Sequence, residues 1–407
     1  MTEITLQEVF AQKHNPYPAY ARLREQGPLA RWNWMGQDMW LATTYEDIIA
    51  LLKDPRLTID MQKLLSPGHE QSPGGGYSAR YVPLAGMRHL LNTDLPDHSR
   101  LRTLVSKAFT PRMIEQLRPR IQQIADDLLD AVQEQGEMDL VADFAFPLPI
   151  NVISEMLGVP SEDRQQFRTW TQTIVQSQGA ALSSEKQDAG RAAEAEFINY
   201  VKALIATKRK HPDNSLTSDL VRVEEQGDKL SENELISMIF LLLTAGHETT
   251  VNLLGNGTLA LLEHTDQLEL LRADPSLLPS AIEELLRYTT PVSLTAPRWA
   301  LEDIVLHGQV IRRGEMVRCA LLGANTDPQE FADPEVLNIL RQENQHLAFS
   351  KGIHFCLGAP LARLEGQIAI GTLLRRLPHL RLAVSPEQIA YKDAGSLRAL
   401  AALPVTF

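Results

Sequence analysis

The chain has 407 residues, 44% of them hydrophobic, and a formal net charge of −12. That is enough apolar material for a large core. The acidic balance argues against nucleic acid as a partner, because phosphate contacts require a basic surface, and two cysteines cannot build a disulfide framework.

The first twenty residues are polar and broken by Pro16 and Pro18. No apolar run there resembles a signal peptide or a membrane anchor, so the chain reads as soluble and cytoplasmic. Residues 38–43 alternate as a short strand. Residues 66–77, with Pro67, Pro73 and Gly74, Gly75 and Gly76 in a row, read as a loop. Helical periodicity then dominates over residues 111–135, 185–210, 231–264 and 279–288, with one further alternating segment at residues 303–310. No repeat, low-complexity tract or long linker divides the sequence. The expectation is a mainly α protein with small β-sheets.

The third of these helices is unusual. Ser231-Glu232-Asn233-Glu234 is a capping box, and residues 236–243 are almost entirely apolar, so the segment should run through the core. Ala245-Gly246-His247-Glu248-Thr249-Thr250 then places small residues, an acid and two hydroxyls where a buried helix wants none of them. Glycine or a Thr hydroxyl can open a helix and leave room beside its axis. Two other motifs overlap this helix and fail. His247-Glu248-Thr249-Thr250-Val251 has valine where a zinc-protease motif needs its second histidine, and the Gly255-Asn256-Gly257 run has no strand before it.

Farther on, Glu284 and Arg287 stand three apart on one helix face, where acid and base can meet. The richest segment is the last: Phe349, Gly352, His354, Cys356 and Gly358, followed by Pro360 at the start of a helix. Cys356 falls just before a helix N-terminus, where the positive end of the dipole favours a thiolate, the metal-binding form of cysteine. Cys319 reads as a small buried apolar residue.

The Phe-x-x-Gly-x-His-x-Cys-x-Gly pattern filled by these residues resembles the haem-binding signature of cytochromes P450, with Ser350 where that family often has glycine. Ala245, Gly246, Glu248 and Thr249 match its oxygen-activation motif, and Glu284 and Arg287 its Glu-x-x-Arg element. The likeness covers nearly the whole chain and implies a single-domain cytochrome P450 fold over residues 1–407, of the soluble bacterial type.

By resemblance, Cys356 would ligate the iron of haem b, and Phe349, His354 and Gly358 would shape the loop around it. His98, Arg102, Arg298 and His354 are candidate cations for the haem propionates. His98 and Arg102 stand in a segment, Asp94 to Arg102, that is similar to the family's Asp-x-Pro-x-His-x-x-x-Arg helix; Arg100 is left on the surface. Thr249 would hydrogen-bond the oxygen being activated, and Glu248 would relay protons. Glu284 and Arg287 would be structural. The implied activity is monooxygenation, hydroxylating or epoxidising a lipophilic small molecule with O2 and two electrons from a separate ferredoxin or flavodoxin and its NAD(P)H reductase.

Arg102, Lys107, Arg112, Lys351 and Arg363 are candidate docking cations for that partner. Substrate contacts are expected from residues 61–91 and 165–206, Leu242, Ala245, and residues 292–296 and 395–397. Two other functions are weighed: a peroxide-driven peroxygenase, against which Glu248 and Thr249 argue, and a non-enzymatic haem sensor, for which no output element is visible.

Overall fold

In the computed structural model the described residues are 8–9, 12, 14–34, 37–64, 88–177, 184–225, 230–392 and 395–407. The loop expected at residues 66–77 and most of the first expected substrate segment lie outside them. In chain order the elements are α1 (Tyr17–Gln26), β1 (Leu29–Trp34), β2 (Gln37–Ala42), α2 (Tyr45–Lys53), β3 (Leu57–Thr58), α3 (Asp97–Ala108), α4 (Pro111–Gln116), α5 (Arg118–Asp130) and β4 (Glu137–Asp139). There follow α6 (Pro147–Met156), α7 (Arg164–Gln176), α8 (Ser184–Lys210), α9 (Leu216–Glu225), α10 (Glu232–Glu263), α11 (Thr265–Ala273) and α12 (Leu278–Thr289). The chain closes with β5 (Arg298–Ala300), β6 (Ile304–Leu306), β7 (Gln309–Ile311), β8 (Met316–Cys319), α13 (Leu321–Asn325), α14 (Ala359–Arg376), β9 (Arg381–Leu382) and β10 (Pro404–Thr406). The class is mainly α with small sheets.

Backbone contacts divide the chain into two compact units. One comprises Met1–Thr58, Glu115–Pro149 and Glu248–Phe407; the other comprises Ile59–Ile114 and Ile150–His247. The first unit holds all of these strands. They form a five-stranded sheet in the order β1-β2-β8-β5-β3, a three-stranded sheet β4-β10-β9 and the two-stranded β6-β7. β2 and β8 run parallel, while β1-β2, β5-β8 and β3-β5 are antiparallel. Trp40, Ala42, Ile48, Leu51, Val317, Cys319, Leu321 and Phe331 belong to one buried cluster beneath this sheet. Cys319 is wholly buried in it, as expected, and burial pushes its thiol up to about 11. Among its described residues the second unit has helices joined by irregular chain and no strand.

Two expected elements resolve differently. The helix expected at residues 111–135 divides at Leu117, because Pro119 stands in the first turn of α5. Inside a continuous helix its ring would clash with the preceding turn and remove a hydrogen bond; at a helix start it does neither. The alternating segment 303–310 is a hairpin rather than one strand: His307 and Gly308 both take positive φ, 51° and 75°, the geometry of a two-residue hairpin turn.

α10 begins with the predicted capping box. The Ser231 amide donates to Glu234 Oε2 at 2.8 Å, and the Glu234 amide donates to Ser231 Oγ at 3.2 Å. Glu234 also pairs with Arg100, which stays 37% exposed at the surface and is tied to the start of α10. Gly255 and Gly257 prove to be packing positions. A β-carbon at Gly255 would come within 3.4 Å of Leu400, and one at Gly257 within 3.4 Å of Leu285, so the glycines let neighbouring side chains lie close. Among the described residues no helix is long and apolar enough to cross a membrane.

Candidate functional site

α14 begins at Ala359 with Pro360 in its first turn and Gly358 as its N-cap, so Cys356 stands just outside a helix N-terminus as the sequence predicts. The loop that carries it is fixed by its own backbone. The Cys356 amide donates to the Phe349 carbonyl at 3.0 Å, the Ser350 amide to Leu347, and the Phe355 amide to Gly352. Gly352 takes φ +77°, and a β-carbon there would come within 2.9 Å of the Leu52 carbonyl, so both its conformation and its space exclude a side chain. At Gly358 a β-carbon would stand 4.0 Å from the Cys356 sulfur. Cys356 is half-buried, with Ile353 and Phe355 exposed on either side of half-buried His354.

The helix α10 runs without interruption through Ala245–Thr250, so the break in its sequence pattern does not break its backbone. Burial shows what the pattern means instead. Residues 235–241 and 250–261 are buried, whereas Ala245 is exposed and Leu242, Thr244, Gly246, Glu248 and Thr249 are half-buried. Small and polar side chains sit where the middle of this helix is uncovered. Burial raises the Glu248 carboxyl above the usual range, with Lys392 opposing the shift. His247 is buried.

Glu284 and Arg287 meet in a fully buried, two-pronged pair: Arg287 Nη2 to Glu284 Oε1 and Nε to Oε2, both 2.8 Å. The same carboxylate accepts from the Asn338 amide at 2.9 Å, from Arg341 Nε at 3.2 Å and from Asn344 Nδ2 at 3.1 Å. Arg287 donates in turn to the carbonyls of Asn325, Pro334 and Val336. Every prong is answered, which is the condition under which a buried ion pair is tolerated. The sequence reading did not include Arg341, Asn338 and Asn344. They lie in irregular chain between α13 and α14, where no periodicity marks which side chain turns inward.

The remaining candidates fall in both units. In the first, Arg298 is buried on β5, opposite Val317 of β8. In the second, His98 is buried in the first turn of α3, and Arg102 lines a surface pocket with Ser99, Thr103, Ser106 and Lys107 on the same helix. Arg363, expected among docking cations, grips Glu283 with Nε at 2.7 Å and Nη2 at 2.8 Å.

The cytochrome P450 family profile matches residues 5–274 and 271–398. Cytochrome P450 CYP107DY1 of Priestia megaterium is 52% identical over 376 residues, covering 90% of this chain and 89% of its own. Among solved structures, the Bacillus subtilis bacillaene polyketide synthase cytochrome P450 PksS superposes with a TM-score of 0.87 at 45% identity, covering 97% of both chains. The myxobacterial cytochrome P450 CYP267B1 in complex with myristic acid gives 0.88 at 46% identity, covering 98% of this chain and 97% of its own. With a family profile spanning both compact units and relatives this similar along most of their length, the chain belongs to the cytochrome P450 family, the haem b-dependent thiolate monooxygenases.

Proposed function

We propose that residues 1–407 work as one P450 domain in which the Cys356 sulfur holds the haem iron, and that the enzyme hydroxylates or epoxidises a lipophilic small molecule. The residues present fit the cofactor. Cysteine is a soft anionic donor, and the helix N-terminus after it stabilises the thiolate. The glycines of its loop leave backbone where side chains would otherwise stand. His98 and Arg298, both buried, with Arg102 and His354, are the groups proposed to answer the propionates. When bound, haem supplies the binding and reduction of O2 and the insertion of one oxygen atom into the substrate.

The protein's own residues supply protons and order. Thr249 would offer its hydroxyl as a hydrogen-bond donor on the uncovered face of α10. Glu248, whose carboxyl burial shifts toward neutrality, is suited to take a proton from solvent and pass it inward, since a relay works best when its pKa is near the working pH. Glu284 and Arg287, with Arg341, keep the chain leading to the cysteine loop in place.

Electrons are proposed to come from a separate ferredoxin or flavodoxin with its NAD(P)H reductase. For substrate, a long acyl or polyketide chain is the class we favour, on the bacillaene synthase P450 and the myristic acid complex among similar proteins. The setting proposed for the enzyme is the cytoplasm.

The observation that carries the reading is Cys356 in its glycine-flanked loop before α14. Cys356→Ala should abolish turnover and the strongly red-shifted Soret band of the reduced carbon monoxide complex; retention of either overturns the ligand assignment. Thr249→Ala should keep consuming electrons while diverting them to peroxide, and unchanged coupling would remove Thr249 from the relay. Full turnover with peroxide alone would favour a peroxygenase. A panel of fatty acids and macrolactones, screened for displacement of the sixth haem ligand, tests the substrate class.

A further inference from the structure

The Glu283 carboxylate, one residue before the buried Glu284, has a different set of partners. Besides the two-pronged Arg363, it lies 3.2 Å from His346 Nε2. The other ring nitrogen, Nδ1, accepts the Ala348 amide at 3.2 Å, so it carries a lone pair and Nε2 carries the proton that is donated to Glu283. Arg363 presents its guanidinium to the face of the Phe349 ring, 4.7 Å from the centroid, and the His346 ring lies 5.9 Å from the same ring. Phe349 is the residue whose carbonyl holds the Cys356 amide. A contiguous series of contacts therefore runs from Glu283 through Arg363 and Phe349 to the cysteine.

We propose that Glu283, His346 and Arg363 are positioning residues that hold Phe349 against the cysteine loop and tune the negative charge carried by the Cys356 sulfur. The inference rests on Cys356 being the haem ligand. Arg363 places a positive charge near that sulfur, and Glu283 partly cancels it. The electrostatics point the same way: the Arg363 guanidinium is held more firmly protonated, first by Glu283 and less strongly by Cys356. Glu283 is driven down to about 2 by Arg363 and His346 in spite of burial. Reduction of the iron adds negative charge beside the thiolate, so a nearby cation favours it and a nearby anion opposes it.

The test is the reduction potential of the haem-loaded protein, measured by spectroelectrochemistry in Arg363→Gln, Glu283→Gln and Arg363→Lys. Arg375→Gln serves as the control, because that residue lies exposed on the same helix. Arg363→Gln should lower the potential and Glu283→Gln should raise it, while Arg363→Lys should stay within the control's shift. A merely structural role would loosen the loop in both neutral variants and move them in one direction. Shifts of the same sign, or none beyond the control, overturn the proposal. Should Arg363→Gln fail to take up haem, a rise in Glu283→Gln with Arg363→Lys unmoved still supports it, and any other result in that pair refutes it. The reduced carbon monoxide spectrum of the parent separates failure of the ligand assignment from failure of this inference.

Discussion

Two acid–base pairs on neighbouring helices share one spacing and differ in everything else. Glu269 and Arg272 on α11 meet at 2.7 Å with the carboxylate 67% exposed, whereas Glu284 and Arg287 on α12 meet at 2.8 Å with neither side chain exposed at all. Spacing on a helix decides whether two side chains can touch. What the contact is worth depends on solvent. At the first pair, water still reaches the carboxylate and screens it, although Arg272 is only 21% exposed. At the buried pair, the carboxylate has lost its water and is held by five donors, from Arg287, Asn338, Arg341 and Asn344.

The largest effect that would test this contrast is Glu284→Ala. It leaves Arg287, and beside it Arg341, buried without their carboxylate, a loss of about 3–5 kcal/mol for a broken buried pair. Glu269→Ala should stay within about 0.5 kcal/mol, as surface substitutions do. Denaturant midpoints of the two variants measured side by side decide the matter, and equal midpoints would show that the buried network adds nothing beyond its spacing.

A second buried acid has the opposite character. Glu365 on α14 is 1% exposed, and burial alone pushes its carboxyl up to about 8. Among the described residues its Oε2 has no hydrogen-bond partner. The folded form thus favours the neutral acid, while the unfolded chain ionises near the ordinary value of 4.5. Below that value both states are protonated and Glu365 exacts no cost. As pH rises toward about 8, only the unfolded state gives up its proton, and stability falls. Glu365→Gln should therefore matter little at pH near 5 and stabilise by roughly a few kcal/mol at alkaline pH. Melting temperatures across that window should diverge from the parent only on the alkaline side; a constant offset would mean that Glu365 is ionised in the folded protein.

The contrast between the pairs also marks what could be read in advance. The capping box at Ser231 and Glu234, the helix after Cys356 and the glycine at position 352 were legible, because each is a local rule acting within a few residues. The long helix was legible by its apolar run, and the polar stretch from Ala245 to Thr250 leaves its backbone intact. Arg341, Asn338 and Asn344 were not legible, since irregular chain carries no period that says which side chains turn toward Glu284. The ion pair of Arg363 was not legible for a related reason. A lysine or arginine near a cysteine reads as surface charge until its partner, eighty residues away in sequence, is known.

The smallest expected effect concerns the one departure from the family pattern. Ser350 adopts φ 61°, a left-handed conformation that costs residues with a β-carbon about 1–2 kcal/mol. Ser350→Gly removes that strain but gives the unfolded chain more freedom, which takes back about 0.5–1 kcal/mol. The net gain should be under about 1 kcal/mol, seen as a small rise in melting temperature. Ser350→Ala separates the two causes, because alanine drops the hydroxyl and keeps the β-carbon. If alanine stabilised as much as glycine, the hydroxyl and not the backbone angle would be the source of the strain, and the loop around Cys356 would tolerate its serine without conformational cost.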